Sequence, residues 1–254
     1  MPNTKNILLA AIFSGLAAMA AAGAAAGTYF QDNFDGADLS ADWSVERPNA
    51  DNYLVDAGGL TLLVPDGTSP EYGTAPNTIV LKKPLPEGDW KITARLILTP
   101  QTLGEQFRIG VAKDGKNGLS AVLLLDTTNY DNTNINLVGL KLSRGKTTSF
   151  GRTAYSIQGR NLEGRASVFP ANIAAVDLQL EKVKHAYHAR MRLEPVSPGA
   201  KGAPDGKWRD VQKLTSLRAP GDKFVLTFGS QSSIYLPHDG EALIVIDNVT
   251  IETP

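Results

Sequence analysis

The chain has 254 residues, with 25 Lys and Arg against 26 Asp and Glu, a formal net charge of −1 at pH 7, and no cysteine. So even a balance gives no global attraction to nucleic acid or to an anionic membrane, and the missing cysteines exclude disulfide staples and thiol chemistry. A chain of this length can bury a core of its own as one all-β unit.

Residues 1–26 differ from everything after them. Lys5 lies in a short polar start, an apolar run extends from Ile7 to Ala22, and Ala24-Ala25-Ala26 precedes Gly27. These are the parts of a secretory signal peptide, so the expected domain is 27–254 in a secreted or periplasmic protein. The apolar run is shorter than the roughly 20 residues that cross a bilayer, and no transmembrane segment is expected in the mature chain.

The mature chain starts on Tyr29-Phe-Gln-Asp-Asn-Phe-Asp-Gly36 and runs to Trp43, a short alternating stretch followed by a turn signal. No later segment keeps a 3.6-residue apolar period, whereas several keep a period of two. In 90–98, Trp90, Ile92, Ala94, Leu96 and Leu98 face one way, with Lys91, Thr93 and Arg95 opposite; Val176, Leu178 and Leu180, then Phe224, Leu226 and Phe228, behave alike. Further strands are expected over 60–64, 78–82, 107–113, 119–125, 135–142, 187–193, 211–214 and 243–251, separated by turns such as Ala57-Gly-Gly59 and Pro220-Gly-Asp222. About a dozen short strands at this spacing call for an antiparallel sandwich. Trp43, Trp90 and Trp208 read as core. Two stretches break the rhythm and read as loops: Pro195 to Lys207, rich in Pro and Gly, and Ser143 to Asn172, where Arg144, Lys146, Arg152, Arg160 and Arg165 face the single acid Glu163.

The opening 29–43, the closing Ile246-Asp-Asn-Val-Thr-Ile251, the Asp89-Trp90 strand and the hairpin from Leu178 through Trp208-Arg-Asp-Val211 resemble concanavalin A-like (laminin-G-like) jelly-roll domains, in particular the C-terminal sandwich modules of bacterial β-xylosidase-type glycosidases. The resemblance implies a two-sheet antiparallel jelly-roll β-sandwich and a structural calcium near the chain ends. Asp32 and Asp247 are its expected ligands, because the first and last strands should pair and Asp247 alternates with apolar Leu243, Val245, Val249 and Ile251, where a carboxylate needs a partner. The resemblance fixes no activity, since one fold hosts many.

Paired acids at the spacing of retaining glycosidases of this fold are missing, as are serine-nucleophile and phosphate-loop motifs. His185 and His188, three apart, would diverge from a strand rather than share a metal, and His238 beside Pro237 reads as a solvated turn. Glycan recognition needs an aromatic face flanked by amides, carboxylates or Arg. Two places have that mixture: Arg47, Asn49, Asn52 and Tyr53, continued by Tyr72, and the pair Tyr130 and Asp131. The expected function is therefore binding of a polysaccharide or oligosaccharide by an exported module, with no nucleic-acid partner. An atypical glycoside hydrolase or lyase of this fold, and a structural or adhesive surface protein, are the alternatives.

Overall fold

The computed structural model of the protein describes residues 27–254 except 57, 66, 99–103, 130–131, 159–172, 201–202, 217–219 and 231–240; the expected signal peptide over 1–26 lies outside the described residues. Alternating sequence becomes strand almost throughout. The strands are β1 (Gly27–Asp32), β2 (Trp43–Glu46), β3 (Tyr53–Asp56), β4 (Gly59–Pro65), β5 (Thr78–Leu81), β6 (Trp90–Leu98), β7 (Glu105–Asp114), β8 (Asn117–Asn129), β9 (Asn132–Ser143) and β10 (Lys146–Gln158). They continue with β11 (Ile173–Val183), β12 (Ala186–Pro195), β13 (Trp208–Asp210), β14 (Leu214–Thr215), β15 (Lys223–Ser230) and β16 (Glu241–Thr253), and a 3-10 turn covers Ala50–Asn52.

All the pairings are antiparallel, and they make two sheets. The 9-stranded sheet A runs β13-β12-β11-β6-β16-β4-β3, with β1 on β16 and β14 on β12; the 7-stranded sheet B runs β10-β9-β8-β7-β15-β5-β2. This is the two-sheet jelly-roll sandwich expected from the alternation, with first and last strands paired from Gly27 opposite Thr253 to Asp32 opposite Val249.

One face of each sheet fills the core. Ile92, Ala94 and Leu96 of β6, Val176, Leu178 and Leu180 of β11, and Ile244, Ile246, Val249 and Ile251 of β16 meet Phe107, Ile109 and Val111 of β7, Ile135 and Leu137 of β9, and Phe224, Leu226 and Phe228 of β15. Each fully buried side chain of this size contributes on the order of 2 kcal/mol of transfer free energy. Trp43 and Trp90 are core, as expected. Trp208 is a correction: it is 39% exposed and lies on the outer face of sheet A, with the Arg192 guanidinium 5.1 Å from its ring centre.

Trp43 also explains the opening motif. Asp32 accepts from the backbone N–H of Phe34 (2.8 Å), the Ser40 hydroxyl (3.0 Å) and the Trp43 indole N–H (2.7 Å). The carboxylate thereby holds Phe34 at φ 55, a conformation unfavourable for an aromatic residue, and the ring stacks against Trp43 inside the core.

Three expectations are revised. The loop over 143–172 is, up to residue 158, strand β10 on the edge of sheet B, joined to β9 by the two-residue turn Arg144-Gly145 with φ 52 and 78, the positive pair a tight hairpin needs. The bulge between Ser149 and Gly151 breaks its alternation, which hid the period of two. The expected strand over 211–214 is split into β13 and β14, with Val211 between them donating to the Ala189 carbonyl. In β16 a bulge between Ile246 and Asn248 switches the inward set from Ile244 and Ile246 to Val249 and Ile251, so Leu243 and Val245 do not share a face with Val249.

Candidate functional site

The outer face of sheet B follows directly from its register. Thr227, Arg108, Val122, Val138 and Arg152 form one cross-strand row from β15 to β10, and Gly229, Gln106, Leu124, Asn136 and Ala154 form the next. Polar Arg108 and Gln106 on β7 and Asn136 and Arg152 on β9 and β10 thus bracket an apolar strip on β8. Outward positions normally carry solvated side chains, but Asn136 is fully buried and Arg108 is only partly exposed.

The segment Thr68 to Asn77 makes one wall of this face by crossing over β15 and β5. Pro70 accepts from the Thr227 hydroxyl (2.7 Å), and Thr68 accepts from the Ser230 N–H (3.0 Å). Gly229 permits the close approach, since a Cβ there would stand 2.5 Å from the Pro70 nitrogen. Tyr72 then packs on Val80, Ala112 and Val225 and donates to Glu46 (3.3 Å). Burial and the Glu46 charge both raise the Tyr72 phenol above its usual range near 10.

The hydrogen bonding of the floor is incomplete. Arg108 donates through a terminal nitrogen to the Gln106 side-chain oxygen (2.9 Å), while its Nε is buried with no partner. Loss of water lowers its guanidinium to about 10, against the opposing pull of Glu71, and it remains charged at neutral pH. Asn136 accepts from Arg152 Nε (3.0 Å), and its own amide Nδ2 is buried and unpartnered. Such donors cost on the order of 1–3 kcal/mol each when left unmet. A small cleft of about 30 Å³, lined by Glu71, Tyr72, Arg108, Ser120, Leu140 and Thr147 among others, reaches Arg108. It admits a hydroxyl or a water rather than a ring.

The residues expected to bind a glycan fall into separate roles. Arg47 is at φ 55 and donates to the Ala75 carbonyl (2.7 Å) and the Thr78 hydroxyl (2.6 Å), and the Asn49 N–H donates to the Asn77 side chain (2.6 Å). Both tie down the end of the crossing segment that carries Tyr72, so these three are brought together. Asn52 closes the short 3-10 turn through its backbone, and Tyr53 begins β3 in sheet A, partly buried against the core; neither is in the row of Arg108. Tyr130 and Asp131 lie outside the described residues. Gln106, Arg108 and Asn136 are not among the residues expected from the sequence, and Arg152 is expected only as part of the basic stretch 143–172; the available signal is polar side chains at the outward positions of strands with otherwise apolar outward neighbours.

Asp32 and Asp247, the expected calcium ligands, are each engaged by protein groups. Asp32 is engaged by three donors, whereas the β16 bulge turns Asp247 outward, 3.6 Å from Arg95 Nε and in contact with the Asn248 amide. An ion would have to displace the Trp43 and Ser40 donors from one carboxylate and a guanidinium from the other. Among the described residues, no three His, Asp or Glu side chains gather as a metal site would.

Fold and site together define a class: an all-β, concanavalin A-like jelly-roll sandwich with a partly buried polar outer face on its smaller sheet. Solved structures agree on the fold. The GH43 protein BlXynB of Bacillus licheniformis superposes with a TM-score of 0.57 at 16% identity, covering 87% of this chain and 38% of that one. The xylan β-1,4-xylosidase of Bacillus halodurans C-125 gives 0.58 at 12% identity over 88% and 39%. The CBM2 module of the evolved Dit of Lactobacillus casei BL23 phage J-1 gives 0.53 at 12% identity over 89% and 95%. The chain thus spans about two fifths of the xylosidase-type proteins and nearly the whole of the phage module. No family model matches the sequence, and no curated protein matches it.

Proposed function

We propose that the protein is an exported glycan-recognition module that binds a polysaccharide or oligosaccharide through the outer face of sheet B. One observation carries the reading: two buried donors, Arg108 Nε and Asn136 Nδ2, stand without partners on a face where Glu71, Tyr72, Gln106 and Ser120 supply further donors and acceptors. Sugar hydroxyls present that mixture of groups, and satisfying buried donors gives a bound ligand free energy that solvent cannot supply. The fold match to the phage CBM2 module supports a recognition module. A structural calcium at Asp32 and Asp247 is a companion proposal with its own test.

The test is a glycan array on residues 27–254, with calcium and again with EDTA, followed by titration of any hit. Arg108→Ala is expected to weaken binding of a neutral glycan at least tenfold and Tyr53→Ala to leave it unchanged. Neutral-glycan binding insensitive to Arg108→Ala, or silence across the neutral glycans of the array, overturns the reading. A melting temperature that falls in EDTA would support the ion, and an unchanged one would remove it.

A further inference from the structure

The cations of this chain are not treated alike. On the outer face of sheet A, Lys91, Arg95, Arg190 and Arg192 each have a carboxylate partner. Lys113, Lys141 and Arg144 have none among the described residues, and they line one cleft.

That cleft, of about 430 Å³, opens between the β7–β8 and β9–β10 hairpins and the residues Ser216 and Pro220. Besides the three cations its lining includes Leu119, Ser143 and Ser216, with no Asp or Glu and no aromatic residue among the described lining positions. The hairpins are fixed to each other: the Gly145 N–H donates to the Lys116 carbonyl (2.9 Å), and the Arg144 N–H donates to the Asn117 side chain (3.1 Å). Asp114, next to Lys113, does not line the cleft. Its carboxylate accepts from the Lys116 N–H (2.8 Å) and the Asn117 amide (3.0 Å), and these bonds, with the nearby Lys113 charge, hold it below the usual carboxylate range.

Three cations with no carboxylate partner among the described residues, Lys113 near the end of β7, Lys141 in β9 and Arg144 in the β9–β10 turn, form a preset positive site in a chain whose net charge is −1, so the attraction is local and short-ranged. The volume lies within the range of small-ligand sites, roughly 300–1,000 Å³. Lys113 and Lys141 supply point charges, and Arg144 supplies a planar fork that meets an oxyanion with two hydrogen bonds. Leu119 offers an apolar floor to a ring, while the lack of an aromatic lining leaves a nucleobase nothing to stack on. We propose that this cleft is an oxyanion subsite that takes the carboxylate or sulfate of an acidic sugar; it shares Asn117, Gly118, Leu119 and Leu142 with the small cleft that reaches Arg108, but Arg108 itself does not line it.

The full chain would be titrated calorimetrically, at low and high salt, with an oligogalacturonate, a sulfated disaccharide, a neutral xylo-oligosaccharide and a short single-stranded DNA. Either acidic sugar is expected to bind, to weaken with salt, and to lose at least tenfold in affinity in the double variant Lys141→Gln, Arg144→Gln. Because Arg144 is exposed and Lys141 half-buried, that variant should keep the parent's melting temperature. Arg108→Ala should leave acidic-sugar binding intact, which separates this cleft from the outer-face reading. Binding of the uronate alone, or of the sulfated sugar alone, sustains the proposal and names the oxyanion. No binding of either, binding unaffected by the double variant, or tighter binding of DNA than of both sugars overturns it.

Discussion

The two outer faces of the sandwich handle polarity in opposite ways. On sheet A charge is closed into cross-strand pairs: Lys91 with Glu252 (2.8 Å), Arg190 with Glu181 (3.3 Å) and Asp210 (3.1 Å), and Arg95 with Asp177 (3.2 Å), Glu194 and Asp247. Asp177, almost fully buried, also accepts from Arg192 Nε (2.8 Å). Arg190 Nε is misaligned for a hydrogen bond, but it still lies beside the Asp210 carboxylate that balances its charge. A lattice of this kind satisfies itself and asks for no ligand. On sheet B a loop is laid over part of the face, and Arg108 Nε and Asn136 Nδ2 are buried without a hydrogen-bond partner, with Glu71 acting on Arg108 only through its charge. On the reading proposed above, what sets the outer face of sheet B apart is burial without pairing, not charge.

The largest way to break this contrast is to lift the crossing segment off sheet B. Gly229→Ala places a methyl against the Thr68 carbonyl and the Pro70 backbone, neither of which can yield as a flexible side chain could. The expected cost is about 3 kcal/mol in urea unfolding, together with lost binding to any glycan that Arg108 supports. Unfolding indistinguishable from the parent would mean that the segment is not held where the contacts with Thr227 and Ser230 put it.

A smaller cost is expected from opening the lattice on sheet A. Asp177→Asn leaves Arg95 and Arg192 facing a neutral amide, although Arg95 keeps Glu194 and Asp247 and both guanidinium groups reach solvent. About 2 kcal/mol of destabilisation is expected from urea titration, against less than about 1 kcal/mol for Lys91→Ala at the exposed rim. Glycan binding should not change in either variant. A loss of binding in Asp177→Asn at unchanged stability would move the recognition surface to sheet A.

Alternation made the architecture legible in the sequence: β6 runs over the residues its period of two marked, and Asp32, Phe34 and Trp43 act as the structural start their motif suggested. What misled was phase. The bulges in β10 and β16 each insert one residue, which made a strand look like a loop and placed Asp247 on an imagined apolar face. The proposed binding face was harder to see, because Arg108 and Asn136 are ordinary polar residues until a non-local loop and neighbouring strands remove their water. Conversely, Arg47 and Asn49 were legible as polar loop residues, but their partners at Ala75, Asn77 and Thr78 lie about 30 positions away, beyond any local pattern.

The gentlest probe of the contrast is pH. His188 lies opposite Glu181 on the sheet A hairpin, and burial, followed by the Arg190 charge, lowers its imidazole below the ordinary 6.5, with Glu181 opposing. A group with a lowered folded-state value favours the neutral form in the native protein. As the pH falls through 6.5, the unfolded chain takes up its proton first, so stability is lost in acid and is fully present above that value. His188→Gln should flatten this part of the stability curve between about pH 7 and 5, read as the shift in urea midpoint, and leave the curve above about pH 7 in place. A parent curve that rises on acidification would place the imidazolium, not the imidazole, in the lattice, with Glu181 outweighing both burial and Arg190.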